Sequence, residues 1–291
     1  MAGTARATFQ ELGNKYWKYW VNLIRIAEMM RKTLAIIIFI LGGCVQQASQ
    51  SGQTQLKIGR GEYEKKHYSS AIHSLSEFLK NERGSREAAY ALYLRGLCYR
   101  GMGPKEDKQA VKDLEKAIRI SDNEVIQRHA HIALGHIYFE KQEPEYAKSV
   151  WHYKNALPGM EDVPPKDDVL YRLGVALQGM GQWKDADLYF SQCFNTFKRS
   201  KYAAAARDRF GAQGFRLQVG AFSSLQSAKK LVGELGRRGW QGDWSGKEKK
   251  GKLLYLVRVG KYNTYKEARE ALSRLLAIYP KAMMVTAVLP K

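Results

Sequence analysis

The stretch LRGLCYRGMG at residues 94–103 returns as RLGVALQGMG at residues 172–181. In both copies a Gly-Met-Gly triplet begins five residues after an earlier glycine, which is Gly96 in the first copy and Gly174 in the second. Around both copies, apolar residues recur at the spacing of a helix that buries one face. A segment that repeats itself at this spacing predicts helical hairpins stacked into a solenoid.

The repeated pattern extends over residues 56–210 in four units, whose glycines at positions 59, 96, 135 and 174 lie 37, 39 and 39 residues apart. Each unit also has a small residue followed four positions later by a bulky one, which places both on one face of a helix. These pairs are Ala71 with Leu75, Ala110 with Leu114, Ala147 with Trp151, and Ala186 with Phe190. The small residues allow two helices to approach closely, and the bulky residues fill the space against the next hairpin.

This pattern resembles the tetratricopeptide repeat (TPR), with a longer period because of loop insertions such as residues 160–167. The run at residues 194–207 is similar to the helix ending of outer-membrane tetratricopeptide lipoproteins. The resemblance implies a concave groove that binds a protein or a peptide. It does not imply catalysis.

An export signal is predicted near the front of the chain. Met29-Met30-Arg31-Lys32 precedes an apolar run at residues 34–41, and Gly42-Gly43-Cys44 follows. This is the order of parts in a signal peptide, and the apolar run is too short to cross a bilayer, which takes about 20 residues. The run ending at Cys44 resembles the lipobox of bacterial lipoproteins, which implies cleavage before Cys44 and acyl chains on that cysteine. The alternative is an ordinary thiol behind an apolar patch.

The lipobox resemblance also implies a location. Val45 follows the cysteine where the common inner-membrane retention signal has Asp, so we expect a lipid-anchored protein of the outer membrane that faces the periplasm. Residues 1–43 are then a leader, in which translation is expected to begin at Met29 or Met30. Residues 44–55 are rich in Gln, Ser and Gly without an apolar period, and they predict a flexible tether.

A different period begins after Gly211-Ala212-Gln213-Gly214 and predicts a second domain over residues 213–289. Residues 215–219 alternate apolar and polar, as a half-buried strand does. A helix that Ser224 caps is expected next. Forty residues later the same arrangement returns as a strand at residues 255–262 and a helix whose capping box begins at Thr264.

Two more strands are predicted at residues 240–245 and 282–288, with a basic hairpin tip at residues 246–251. The order strand, helix, strand, strand, helix, strand is a ferredoxin-like α+β plan, in which both helices cover one face of the sheet and the other face is open. The predicted fold class is therefore multidomain, with an all-α solenoid followed by a βαββαβ domain.

The motif Val-Gly-x-aromatic occurs twice in this domain, at residues 219–222 and 259–262. Together with Gln218 and Arg258, it resembles the SPOR domain, the sporulation-related repeat. The resemblance implies binding of peptidoglycan glycan strands that lack stem peptides.

Strand alternation assigns Leu217, Val219, Val257 and Val259 to the helix-covered face. It assigns Arg216, Gln218, Leu256 and Arg258 to the open face. A glycan without peptides keeps a carboxylate on each muramic acid. Arginine and glutamine side chains can donate hydrogen bonds to such a carboxylate. Aromatic rings at residues 222, 244 and 262 offer surfaces for sugars, although packing at the strand-to-helix corners is the alternative for Phe222 and Tyr262. The predicted glycan-binding residues are Arg216, Gln218, Phe222, Trp244, Leu256, Arg258 and Tyr262.

The sequence gives little support for other kinds of functional site. The formal net charge of +20 favours binding of a polyanion, but it does not indicate which kind of polyanion is bound. No nucleophile elbow, phosphate loop or dinucleotide fingerprint is present, so neither an enzyme nor a cofactor is predicted. His129, His131 and His136 do not share a helix face, which argues against a metal site. Cys98 and Cys193 lie among apolar neighbours and are interpreted as buried thiols.

The leading hypothesis is a non-catalytic envelope protein that binds glycan and the membrane and recruits a protein partner in cell-envelope or cell-division work. An outer-membrane assembly scaffold, in which the repeats are primary, is the first alternative. A cytoplasmic RNA binder would need the export signal to be false and aromatics at the centre of the sheet, so no nucleic acid is expected. A wall hydrolase has the least support.

Overall fold

The computed structural model describes residues 47–249 and 251–288. The predicted leader and the lipidation site Cys44 lie outside the described residues. In the described part of the chain, no helix is both long and apolar enough to cross a membrane.

Four helical hairpins and one further helix make up the first domain, as the repeat predicts. The helices are α1 Gln50–Glu64, α2 Tyr68–Asn81, α3 Ala88–Met102, α4 Asp107–Ile120, α5 Glu124–Glu140, α6 Tyr146–Ala156, α7 Lys166–Gly179, α8 Trp183–Thr196 and α9 Lys201–Arg209. The repeated stretches at residues 94–103 and 172–181 end at Gly103 and Gly181. The φ angles of these two glycines are positive, 111° and 80°, and a residue with a side chain would be strained there.

The two helices of each hairpin contact each other at the glycine of that unit. A Cβ atom built on Gly59, Gly96 or Gly174 would lie 2.5–2.8 Å from the nearest ring or side-chain carbon of Leu75, Leu114 or Phe190, respectively. These three bulky residues are fully buried. The predicted small-and-bulky pairing therefore fills the space between the two helices of its own hairpin rather than the space against the next hairpin.

The third hairpin differs from its predicted register by two residues. Tyr153, not Trp151, packs on Gly135, and Ser149, not Ala147, supplies the small residue. Ser149 donates a hydrogen bond of 3.0 Å to the carbonyl of Gly135, whereas Trp151 is 57% exposed. The sequence prediction was wrong here because the α5–α6 connection, residues 141–145, is two residues longer than the α7–α8 connection, residues 180–182.

Residues 50–55, which were predicted to belong to a flexible tether, are helical. Helix α1 begins at Gln50, and the Ser49 hydroxyl caps it by accepting a hydrogen bond of 3.0 Å from the Gly52 amide. Ala48 is buried, and its amide donates to Glu87 Oε2 at 3.1 Å. The repeat domain therefore begins upstream of the predicted boundary, because side chains of the α2–α3 loop hold the backbone at residues 48 and 49.

The second domain is a four-stranded antiparallel sheet in the order β2-β3-β1-β4 with two helices on one face. Its elements are β1 Ala212–Phe222, α10 Leu225–Arg237, β2 Gly242–Lys249, β3 Lys252–Tyr262, α11 Tyr265–Leu276 and β4 Met283–Val288. The predicted caps are present, since the Ser224 hydroxyl accepts from Ser227 and Thr264 forms a capping box with Glu267. The predicted hairpin tip is narrower, because pairing continues to Lys249 opposite Lys252.

The core of this domain lies between the sheet and the helices. Leu217, Val219, Val257 and Val259 are buried there with Ala228, Leu235, Ala271 and Leu275 from the two helices. The predicted inward face is therefore confirmed. The opposite face is left uncovered by the two helices.

The two domains are joined directly. Helix α9 ends at Arg209 and β1 begins at Ala212, so only residues 210 and 211 connect them. A buried cluster spans the joint and contains Trp183 from α8, Ala212 and Phe215 from β1, and Ala268 from α11.

Candidate functional site

A row of side chains crosses the open face from one edge of the sheet to the other. Asp243 on β2 lies opposite Arg258 on β3, Arg258 lies opposite Gln218 on β1, and Gln218 lies opposite Met283 on β4. Residues opposite one another in antiparallel strands share a face. The four strands therefore present one continuous strip of polar side chains that ends on a methionine.

A second, shorter row lies beside the first. Ser245, Leu256 and Ala221 are paired across β2, β3 and β1. Leu256 is only 8% exposed, so its neighbours cover it and it forms the floor of the face rather than a projecting contact. On the other side of the strip, Arg216 is paired with Val285.

Arg216 is held tightly within the protein. Its Nε donates to the carbonyl oxygen of Gly260 at 3.0 Å, and its Nη2 donates to that of Arg258 at 3.2 Å. The guanidinium also forms an ion pair with Asp243, in which Nη1 lies 2.9 Å from Oδ1 and Nη2 lies 2.8 Å from Oδ2. Arg216 therefore fixes β1 against β3 and β2.

Arg258 is half-buried beside it. Its Nη1 donates to the Ser245 hydroxyl at 3.3 Å, and its Nε is buried without a partner among the described residues. Burial lowers the pKa of Arg258, and the nearby Arg216 lowers it further, while Asp243 opposes both. Because an arginine pKa is so high, the side chain stays charged and is incompletely paired.

The three predicted aromatic residues lie on the other side of the sheet. Phe222 and Tyr262 pack against the core beneath the helices, which is the alternative that the sequence left open. Trp244 is paired with Val257 of the inward face and meets Tyr255 edge-on at 5.7 Å between ring centroids. Of the seven predicted residues, the structure thus brings together Arg216, Gln218, Leu256 and Arg258 on the open face and places Phe222, Trp244 and Tyr262 elsewhere.

Packing explains the doubled motif. A Cβ atom on Gly220 would lie 2.7 Å from a ring carbon of Phe222, and Tyr262 lies in the same way across Gly260. In each half, therefore, the glycine makes room for the aromatic ring two residues later. The motif serves the fold of the domain.

Sequence reasoning missed Asp243, Ser245 and Met283. Alternation along β2 does place Asp243 and Ser245 on the side opposite Trp244. The choice of side depends on the pairing of β2 with β3, which the local pattern does not give. Met283 is 53% exposed at the edge of the face.

The repeat domain contains a groove of its own. A cavity of about 360 Å³ lies among the first three hairpins and is lined by Tyr63, Tyr68, Leu97, Arg100, Gly101, Pro104, Asp107, Ile137 and Glu140. It combines aromatic and aliphatic surface with charged groups. Such a lining suits a segment of another protein.

Ion pairs connect the first helices of three hairpins along this groove. Glu140 Oε2 lies 3.2 Å from Arg100 Nη2, and Glu140 Oε1 lies 2.8 Å from Arg172 Nη1. Arg172 Nε also donates to Asp168 Oδ1 at 2.7 Å. His136 shares a hydrogen bond of 2.8 Å with the Tyr153 hydroxyl, and burial lowers its pKa to about 3, so it is neutral here.

The histidines and cysteines do not form a reactive centre in the described residues. His131 Nδ1 lies 3.0 Å from His152 Nδ1, and the part of the chain that the structure covers has no group of three metal-ligating side chains. Cys98 and Cys193 are fully buried, as predicted. Burial raises the pKa of Cys98 to about 12 and that of Cys193 to about 11, which keeps both thiols protonated.

Comparisons with known families agree with this architecture. Residues 211–286 match the family model of the SPOR domain, residues 45–134 match the YfiO family, described as an outer membrane lipoprotein, and residues 168–200 match a tetratricopeptide repeat. No curated protein matches the chain. The predicted order of a TPR-type solenoid and a SPOR domain is confirmed.

Solved structures resemble the chain only distantly. The MamA protein is 19% identical with a TM-score of 0.43, over 55% of this chain and 82% of that one. A tetratricopeptide repeat protein from Parabacteroides merdae ATCC 43184 is 16% identical with a TM-score of 0.46, over 65% of this chain and 68% of that one. The matched domain families are binding and scaffold domains, and they support a role in interactions at the cell envelope.

Proposed function

We propose that this chain, in which a SPOR domain follows TPR-type repeats, is a non-catalytic protein that binds peptidoglycan glycan strands without stem peptides. The observation that carries the proposal is the row from Asp243 to Met283 across all four strands. Three strand spacings amount to about 14 Å, which is longer than a single sugar ring. A strip of this length and polarity suits an extended saccharide.

The charge of the domain supports the same ligand. Residues 215–291 contain 16 Lys and Arg against 5 Asp and Glu. Removal of a stem peptide leaves a carboxylate on muramic acid, and an arginine on the open face can donate charge-assisted hydrogen bonds to it. An intact peptide would both mask that carboxylate and add bulk above the strip.

We further propose that the groove of the repeats recruits a protein partner in cell-envelope or cell-division work. Its lining supports this, because Tyr63, Leu97 and Ile137 provide apolar surface between the charged Arg100 and Glu140. The match of residues 45–134 to an outer membrane lipoprotein family supports lipidation at Cys44, anchoring in the outer membrane and a periplasmic location.

A second candidate function is an outer-membrane assembly scaffold, in which the repeats are primary and the SPOR domain only locates the protein. The same family match and the ion pairs that connect three hairpins favour it. Replacement of Arg258 by glutamine discriminates between the two. Scaffold function would survive the change, whereas a function that depends on the wall would not.

An RNA-binding function receives no support from the open face. RNA-recognition domains stack bases on aromatic side chains of their sheet. Among the described residues, the aromatic side chains of β1, β2 and β3 face the helices or the repeat domain instead.

The test is sedimentation of the purified protein with intact sacculi and with sacculi whose stem peptides an amidase has removed, at moderate salt. We expect binding to rise on peptide removal and to fall in Gln218→Ala and Arg258→Ala. Lys229→Ala is the matched control, since it removes a positive charge from exposed helix α10. Equal, salt-sensitive binding to both kinds of sacculi, with all variants alike, would contradict the proposal.

A further inference from the structure

The two arginines of the open face differ in how many donors they have free. Arg216 uses Nε, Nη1 and Nη2 in contacts with two backbone carbonyls and with both carboxylate oxygens of Asp243. A guanidinium has five N–H donors, and Arg216 donates three hydrogen bonds while its charge is paired with Asp243. Because its charge is already paired, Arg216 has little to offer an anionic ligand.

Arg258 has the opposite character. Ser245 takes one donor at 3.3 Å, which is a long hydrogen bond, and the Nε proton has no partner among the described residues. Nε is shielded from solvent, so the donors that can meet a ligand are those of Nη1 and Nη2, and among the described residues only Ser245 accepts from them. Arg258 is also central, because it lies between Asp243 and Gln218 in the row across the sheet.

Asp243 distinguishes the two arginines. Its side chain is 60% exposed, whereas that of Arg216 is 20% exposed, so the carboxylate lies on the solvent side of the ion pair. In that position it neutralises Arg216 and repels an anionic group placed over that arginine. A neutral part of a saccharide meets no such repulsion.

We propose that Asp243 sets the specificity of the open face by occupying Arg216, so that a carboxylate of the glycan binds at Arg258. The inference rests on the proposed glycan-binding function and adds where on the face the charged sugar lies. Arg216 is then a positioning residue, and Gln218 and Met283 contact the neutral sugars on the far side of Arg258.

The experiment compares two ligands by titration calorimetry. One is a denuded glycan fragment that carries muramic carboxylates, and the other is a neutral N-acetylglucosamine oligomer of the same length. Asp243→Asn should bind the charged fragment about threefold more tightly than the wild type, as expected from one exposed ion pair. It should bind the neutral oligomer unchanged. Arg258→Gln should lose the preference for the charged fragment.

Glu248→Gln is the matched control, because Glu248 is an exposed acid on the same strand and lies opposite Leu253 rather than an arginine. An equal gain in Glu248→Gln and Asp243→Asn would overturn the proposal in favour of long-range charge. Unchanged or weaker binding of the charged fragment by Asp243→Asn would also overturn it and would leave the proposed function standing. If the wild type binds neither ligand, the proposed function itself fails.

Discussion

The indole Nε1 of Trp183, in the last hairpin of the repeats, lies 3.0 Å from the backbone carbonyl oxygen of Asn263, in the β3–α11 turn of the SPOR domain. The two residues are 80 positions apart in the chain, and Trp183 is only 8% exposed. Its ring also meets Phe215 at 4.9 Å between centroids. Next to it, Tyr146 of the third hairpin meets Tyr265 of α11 at 5.5 Å. The domains thus share a packed joint.

We expect Trp183→Ala to loosen this joint and to separate the unfolding of the two domains. Loss of a buried tryptophan costs about 3–5 kcal/mol. Denaturant unfolding, followed by circular dichroism and by a label on the SPOR domain, should give coincident transitions in the wild type and separate ones in the variant. Trp151→Ala is the control, because Trp151 is 57% exposed. Coincident transitions in Trp183→Ala would count against a stabilising joint.

We expect Gly135→Ala to destabilise the repeats, because the new Cβ would lie 2.5 Å from Cε1 of Tyr153. Overpacking of this kind costs about 1–3 kcal/mol. Gly61→Ala is the matched control in helix α1, where a Cβ meets nothing within 4 Å. That change should stabilise by about 0.5–1 kcal/mol, since alanine is the better helix former. The urea midpoints of the two variants should move in opposite directions, and a shift of both in the same direction would refute the packing argument.

We expect stability to fall as the pH is lowered from about 6.5 towards 4. Burial lowers the pKa of His136 to about 3 and that of His152 to about 4. The unfolded chain takes up protons near pH 6.5 while the folded chain does not, so the stabilisation is complete above that pH and is lost below it. Each histidine should contribute on the order of 2 kcal/mol between pH 7.5 and pH 5.

Urea unfolding at these two pH values measures the loss. His136→Gln keeps a polar partner for the Tyr153 hydroxyl and removes the titrating group. The variant should therefore show a smaller difference between the two pH values. An unchanged difference would mean that His136 does not contribute to the acid sensitivity.

We expect Trp244→Ala to leave glycan binding unchanged, because Trp244 lies on the same side of the sheet as Val257 and points away from the open face. Gln218→Ala should weaken binding, since Gln218 lies in the row across that face. Sedimentation with denuded sacculi measures both variants. Weaker binding by Trp244→Ala would show that the ligand reaches the helix-covered side of the sheet.

Much of the fold could be predicted because it follows from local patterns. The unit glycines mark where the two helices of a hairpin touch. Each glycine packs against a buried residue in the second helix of its hairpin. Alternation along β1 and β3 correctly separated Leu217 and Val259 from Gln218 and Arg258. Strand geometry sends successive side chains to opposite faces, so this part of the site needs no knowledge of distant contacts.

By itself, then, the sequence determined the repeat, the order of the elements and the face of each residue within a well-patterned strand. Only the tertiary structure decided that Tyr153 and not Trp151 packs on the glycine of the third hairpin. It also decided that Trp244 lies on the helix-covered side of the sheet and that Asp243 forms an ion pair with Arg216. Each of these depends on a loop length or on the pairing of separate strands. Such contacts join residues far apart in the chain, and no local period of 2 or 3.6 residues encodes them.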